Sequence, residues 1–173
     1  AGLEIVSNLL RGNQGNPDLG AFAYWNEPFA ADQASEITFF SRTNNAQMGP
    51  AVRIDPAGTR TSATFYTVVF DIVPGAGLYL KKYVGASIAG QGTTLGSFAQ
   101  NLVSGDVIRL EAVGSRIRVF RNNVQVISVV DSSISSGRPG VFCCADGAQA
   151  GFQEWSDWRA GPAGGMFAFV ASV

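Results

Sequence analysis

The sequence has no histidine, only two cysteines and few charges: Lys, Arg, Asp and Glu make up 14% of its 173 residues, with a net charge of −1. Without histidine, Ser-His-Asp and Cys-His arrangements are excluded, and with them the commonest general base. Two cysteines and no histidine are too few for a zinc site, which takes three or four protein ligands. The cysteines are neighbours, Cys143 and Cys144, in a strand-like stretch where successive side chains point to opposite faces. They read as two small apolar residues, one facing a core, rather than as a vicinal disulfide. No run of like charge exists, so the electrostatic footprint of a nucleic-acid or anionic-membrane binder is missing. No apolar span reaches the roughly 18 residues of a membrane helix. The start, AGLEIVSNLL, lacks the basic region and long apolar core of a signal peptide.

What is present is 46% hydrophobic residues and 21 glycines, a balance that suits many short strands and turns in one domain. The most informative stretch is Gly105 to Phe142, GDVIRLEAVGSRIRVFRNNVQVISVVDSSISSGRPGVF. Gly114-Ser115 suits a type II′ hairpin, which needs a positive φ at its first position, and Asn122-Asn123 suits a type I′ turn. Counting outward from two-residue turns places Val113 opposite Arg116, Glu111 opposite Arg118 and Leu110 opposite Val119. Across the second turn the same count sets Val119 opposite Val126 and Ile117 opposite Ser128. Leu110, Val119 and Val126 then share the buried face and Glu111 meets Arg118 outside; a one-residue slip would bury Arg116 and Arg118.

Along the rest of the chain, Leu3 to Ser7 reads as an edge strand and Arg11 to Gly20 as a polar turn segment. Ala21 to Trp25, Glu36 to Ser41 and Ala51 to Ile54 follow as strands, with Arg42 to Pro50 a polar loop. Ala63 to Asp71 is apolar or aromatic on both faces, the mark of a central strand covered twice or meeting another chain. In Leu78 to Val84 the alternation puts Leu78, Leu80 and Val84 inward and Tyr79, Lys81 and Tyr83 outward. A long loop with a strand near Thr94 to Phe98 precedes the meander; Val141 to Cys144 and Gly151 to Asp157 follow it. Roughly ten to twelve short strands and no long amphipathic helix predict an all-β, two-sheet antiparallel sandwich of jelly-roll type over residues 1–160. Gly161 to Gly165 reads as a hinge. Met166 to Val173, MFAFVASV, reads as an apolar strand that must complete the parent sheet or pair elsewhere. The strands before Gly161 already suffice for two sheets, so the reading leans toward a neighbouring subunit, with Met166, Phe167, Phe169 and Val170 as assembly residues.

The order Gly105-Asp106, Gly114-Ser115, Asn122-Asn123, Asp131 and Gly137-Arg138-Pro139-Gly140 resembles the C-terminal half of a concanavalin A-like lectin/glucanase domain. The resemblance extends upstream to Ala23-Tyr24-Trp25-Asn26, Asp32-Gln33 and Gly49-Pro50-Ala51-Val52-Arg53, covering residues 20–158. It implies the sandwich; it does not choose among lectins, glycanases, adhesion modules and virion proteins.

Glycanases on this fold need paired carboxylates on one strand, and the pattern Glu-x-Asp-x-x-Glu implied by the resemblance is absent. The nearest approximations are Glu154 with Asp157, on opposite faces of a strand, and Asp32 with Glu36, across a loop-to-strand junction; solvated or turn-capping roles account for both. The chain therefore reads as a non-enzyme. Sugar-binding candidates are Tyr24, Trp25, Asn26, Asn44, Asn45, Tyr79, Lys81 and Tyr83, which combine aromatic platforms with polar groups; for Trp25 and Trp155 a core position is the alternative. No cofactor is called for. A calcium site at Asp106 or Asp131 is left open by the resemblance to lectins, although an Asp turn accounts for each. Two functional readings stand. One is a non-catalytic, lectin-like carbohydrate-binding module, extracellular or on a virion surface. The other is an oligomeric structural protein of a phage particle, a capsid decoration or fibre module, whose partners are other subunits.

Overall fold

A computed structural model describes residues 2–6, 9–13, 21–42, 46–71, 77–88, 92–145, 153–164 and 169–171. Its strands are β1 (Gly2–Val6), β2 (Leu9–Asn13), β3 (Ala21–Tyr24), β4 (Gln33–Arg42), β5 (Ala46–Ile54), β6 (Ala63–Asp71) and β7 (Gly77–Ala86). They continue with β8 (Thr93–Phe98), β9 (Val107–Val113), β10 (Arg116–Arg121), β11 (Val124–Val130), β12 (Arg138–Ala145), β13 (Gln153–Pro162) and β14 (Phe169–Ala171). An 8-stranded sheet runs β1-β2-β13-β4-β9-β10-β11 with β14 also on β13, and a 6-stranded sheet runs β3-β12-β5-β6-β7-β8. Every pairing is antiparallel. The all-β, two-sheet sandwich is thus as expected.

The β9–β10 hairpin has the predicted register, with Arg116 opposite Val113, Arg118 opposite Glu111 and Val119 opposite Leu110. Gly114 carries a φ of 54°, and Asn122 and Asn123 carry 51° and 65°, the left-handed values their turns require. The β10–β11 register differs from expectation. Arg121 meets Val124 and Phe120 meets Gln125, and then a bulge sets Val119 opposite Ile127 and Ile117 opposite Val129. The extra residue turns Ile127 into the core and Ser128 out to solvent; the unbulged register would have done the reverse, so apolar burial selects the bulge.

Between the sheets, Ile37, Phe39, Val52, Tyr66, Val68, Leu80, Ile108, Leu110, Ile117, Val119 and Trp155 form the main core, and Phe39 packs edge-on against both Phe70 and Trp155. Residues 65–70 are buried on both faces, as a doubly covered β6 predicts. Val84 is 54% exposed, not inward: the inner row of β7 leaves the sandwich at Lys82, whose ammonium reaches Asp131 at 2.6 Å. Cys143 joins the main core and Cys144 the opposite face, and neither is in a disulfide.

Several element boundaries shift, β4 to Gln33–Arg42 and β12 to Arg138–Ala145 among them. Part of the polar segment after Leu10 is strand, since β2 runs to Asn13. β5 begins at Ala46 rather than Ala51, and Gly49 enables this, because a side chain there would meet the Val68 carbonyl oxygen at 1.8 Å. Gly161 and Pro162 end β13, opposite Ala34 and Gln33, so the hinge cannot start at Gly161. The tail strand is docked within the chain: Phe169, Val170 and Ala171 pair with Ala160, Arg159 and Trp158. That edge of β13 is open because β2 covers only Glu154 and Trp155. Pairing with the parent sheet therefore replaces the neighbouring-subunit role expected of Phe169 and Val170; Met166 and Phe167 lie outside the described residues.

Candidate functional site

The outer face of the 6-stranded sheet carries a second apolar cluster that includes Ala51, Ile54, Phe65, Val69, Tyr83, Ile88 and Phe142, with Phe22 and Tyr24 partly buried beside it. Its rings form a continuous row. Tyr83 stacks on Phe65 at 4.8 Å, Phe142 sits 5.3 Å from Phe65, Phe22 lies 5.7 Å from Phe65 and Tyr24 lies 6.3 Å from Phe22. The buried end is covered by Ile88 and Gly92: the Ile88 amide donates to the Arg60 carbonyl at 2.9 Å and Gly92 lies directly on the Tyr83 ring. At the β3 end this cover stops and the rings of Phe22 and Tyr24 reach the surface. β3 is held there because Gly140 has no side chain: a Cβ would come within 2.0 Å of the Ala23 carbonyl oxygen.

Beside these rings the β5–β6 loop folds into successive tight turns. Asp55 accepts from the Ala57 amide at 2.9 Å through Oδ1 and from the Gly58 amide at 3.0 Å through its carbonyl. The Thr59 hydroxyl lies 2.8 Å from that of Ser62 and 3.2 Å from that of Thr61. The Tyr24 hydroxyl donates to the Pro56 carbonyl at 3.4 Å. Ala21, Phe22, Gly58, Thr59, Arg60 and Thr61 line an open depression of about 490 Å³. On the other side of Tyr24 the Arg138 guanidinium lies over the ring at 5.4 Å and donates to the Asn26 side-chain oxygen at 3.2 Å. A half-exposed aromatic pair flanked by guanidinium, amide and hydroxyl groups can stack on the apolar face of a sugar ring and hydrogen-bond its edge.

Of the sequence candidates, Tyr24 and Asn26 meet here, with Trp25 half-buried between them and its amide donating to the Pro139 carbonyl at 2.9 Å. Tyr79, Lys81 and Tyr83 do lie on the outer face of the sheet, but the reading of that face as open is corrected: Lys81 is 3% and Tyr83 1% exposed. Tyr83 is covered by Ile88 and Gly92, and the Lys81 ammonium is turned onto the Gln47 side-chain oxygen at 3.3 Å. Burial drives the Tyr83 hydroxyl far above its ordinary pKa. Asn44 and Asn45 lie outside the described residues. Trp155 is fully buried in the core. Phe22, Arg60 and Arg138 were not foreseen as site residues; the signal was weak, since only pairing of β12 with both β3 and β5 brings them together.

Asp106, Asp131, Asp32 and Glu36 are engaged elsewhere. Asp106 accepts from the Val103 amide at 2.8 Å, Arg121 at 2.6 Å and Asn122 at 2.7 Å. Burial pushes its pKa up, but these bonds outweigh burial and hold it below the usual carboxylate value. Asp131 accepts from Tyr66 at 2.7 Å, Lys82 at 2.6 Å and the Ser133 amide at 2.9 Å. Each carboxylate is already neutralised by a protein cation, so neither fits a calcium ion, and among the described residues no cluster of three acidic, Cys or His side chains exists. Asp32 and Glu36 have separate duties. Asp32 accepts from the Gly114 amide at 2.8 Å, whereas Glu36 lies among Arg109 and Arg159, each at 3.9 Å. Burial raises the Glu36 pKa despite both cations. Arg109 also pairs with Glu111 at 3.0 Å, and Glu111 with Arg118 at 2.9 Å, which makes this outer face of the larger sheet an ion-pair lattice. A smaller hollow of about 190 Å³ contains Asp32, Arg53 and Ser115. Arg53 is spent there on structure, donating to the carbonyls of Ala31, Ile134 and Gly114 at 3.1, 2.7 and 2.7 Å.

The molecule is thus an all-β sandwich with an aromatic, polar-rimmed depression on one sheet. No protein-family model matches the sequence, and no curated protein matches it. Solved structures do resemble it in fold. The carbohydrate-binding module CBM66 from Bacillus subtilis is 15% identical with a TM-score of 0.68, over 91% of this chain and 89% of that chain. The VIP36 exoplasmic/lumenal domain, in its Ca2+/Man3GlcNAc-bound form, is 11% identical with a TM-score of 0.68, over 92% and 81%. A prokaryotic β-1,3-1,4-glucanase (lichenase) derived from a mouse hindgut metagenome is 8% identical with a TM-score of 0.61, over 93% and 82%. These likenesses show the fold, the concanavalin A-like jelly-roll sandwich expected from the meander.

Proposed function

We propose that the protein is a non-catalytic, glycan-binding sandwich whose site is the depression beside Phe22 and Tyr24. The observation that carries this reading is the opening of the buried aromatic row to solvent at Phe22 and Tyr24, next to Arg60, Thr59, Thr61, Asn26 and Arg138. Stacking of a sugar on such rings supplies apolar contact, and the guanidinium and hydroxyl groups give direction. Lectins and carbohydrate-binding modules among the fold relatives support it. Hydrolysis is not proposed, because no described carboxylate lines the depression and a retaining glycanase needs two, about 5 Å apart. The assembly reading loses its main support with the tail strand paired to β13. The test is affinity electrophoresis through a panel of polysaccharides. At least one should retard the protein, Tyr24→Ala should abolish the retardation with little change in melting temperature, and absence of retardation by every polysaccharide would refute the reading.

A further inference from the structure

Of the eight arginines whose side chains are described, Arg53, Arg109, Arg118, Arg121 and Arg159 each have a carboxylate within 4.0 Å. Arg60, Arg116 and Arg138 have none among the described residues. Arg116 sits at the exposed tip of the β9–β10 hairpin, where a solvated cation needs no partner. Arg60 and Arg138 instead flank the same aromatic pair: Arg60 lines the depression with Phe22, and Arg138 lies over Tyr24. Asp55 is the acidic residue of the neighbouring loop, and it turns back onto the Ala57 amide. Glu27, next to Asn26, is exposed and pairs with neither guanidinium.

Arg60 has a further peculiarity. Its Nε is buried and has no hydrogen-bond partner, a state shared by Arg109 and Arg118. Those two guanidinium groups, however, lie on Glu111, whereas Arg60 has no anion among the described residues. The buried Nε is closed to a ligand, but Arg60 lines the open depression without such an anion, and a guanidinium is shaped for a planar carboxylate or for sulfate oxygens. We infer, resting on the glycan reading above, that the ligand is an anionic glycan, whose carboxylate or sulfate ester is held by Arg60 and Arg138 while its ring stacks on Phe22 and Tyr24. The two guanidinium groups discriminate against neutral sugars, which would leave their charge uncompensated in a partly desolvated site.

The experiment compares retardation by polygalacturonate, a sulfated galactan and neutral mannan at low and at physiological salt. Retardation by one or both anionic polymers should exceed that by mannan at least about tenfold, and should weaken as salt rises. The two anionic arms separate carboxylate from sulfate. Arg60→Gln should lose most of the binding, Arg60→Lys should recover part of it, and Arg116→Gln should bind like the parent, which excludes a general charge effect. Binding of mannan as tight as that of the anionic polymers, sensitive to Tyr24→Ala but not to Arg60→Gln, would overturn the inference and leave the glycan reading standing. Equal losses in Arg60→Gln and Arg116→Gln would overturn it as non-specific attraction. Failure of every polysaccharide to bind would instead remove the glycan reading itself.

Discussion

Single side chains decide much of this structure through the environment the two sheets impose on them. Ile117 and Val119 are fully buried while their neighbour Arg118 reaches out to Glu111 at 2.9 Å. Val119→Asp should therefore cost several kcal/mol, because a carboxylate would enter an apolar core without a partner, whereas Arg118→Ala, which leaves Arg109 on the buried Glu111 at 3.0 Å, should cost clearly less. Equal melting temperatures for the two variants would contradict the register. Asp131 offers a pH-dependent counterpart. Burial alone would raise its pKa, but Lys82, Ser133 and Tyr66 donate to it and hold it well below the ordinary value of 3.8. The unfolded chain binds this proton more readily than the folded one, so the contribution is complete above about pH 5 and is lost as pH falls through the carboxylate range. Asp131→Asn should flatten the acid limb of a melting-temperature profile between about pH 5 and pH 3; an unchanged limb would show that other groups set acid stability. The same cluster raises the Tyr66 hydroxyl to about 12, first by burial and then by its bond to Asp131.

At the scale of the element, local chemistry was legible wherever a turn and an alternation agreed. Gly114-Ser115 and Asn122-Asn123 announce their hairpins, and Glu111 opposite Arg118 follows by counting. What counting missed was the bulge in β11, because Val124, Val126, Ile127, Val129 and Val130 offer apolar residues to either register, and only the facing sheet chooses Ile127. β5 was misread between Ala46 and Pro50 since Gly and Pro usually interrupt strands; here the absent Gly49 side chain is what lets β6 approach. The tail was legible as a strand but not as to its partner. The space it fills exists because β2 is short, a fact of sheet geometry and not of residues 169–171. Deleting residues 165–173 should therefore uncover the backbone of Trp158–Ala160 and lower the melting temperature by roughly 3–10 °C. An unchanged melting temperature with loss of self-association would place the strand's work between subunits instead.

For the whole molecule, the fold was legible and the site only in part. Repeated turns and two-residue alternation specify a sandwich without saying which face is roofed. Tyr79, Lys81 and Tyr83 alternate outward as an open face would, yet Ile88 and Gly92 cover Tyr83, and nothing in a glycine-rich stretch foretells its path. Tyr24 and Asn26 were found because they adjoin a strand end. Phe22, Arg60 and Arg138 were missed because they come from three distant segments that meet only across β3, β12 and the β5–β6 loop. The central claim is that ligand is received at that meeting point, and amide chemical-shift mapping by NMR during titration with a retarding polysaccharide's oligosaccharides tests it most directly. The account predicts that shifts concentrate at residues 21–26, 56–62 and 138–140. Shifts concentrated instead around Asp32, Gly114, Ser115 and Ser132, at the hollow beside Arg53, or spread over the ion-pair lattice of the larger sheet, would contradict it.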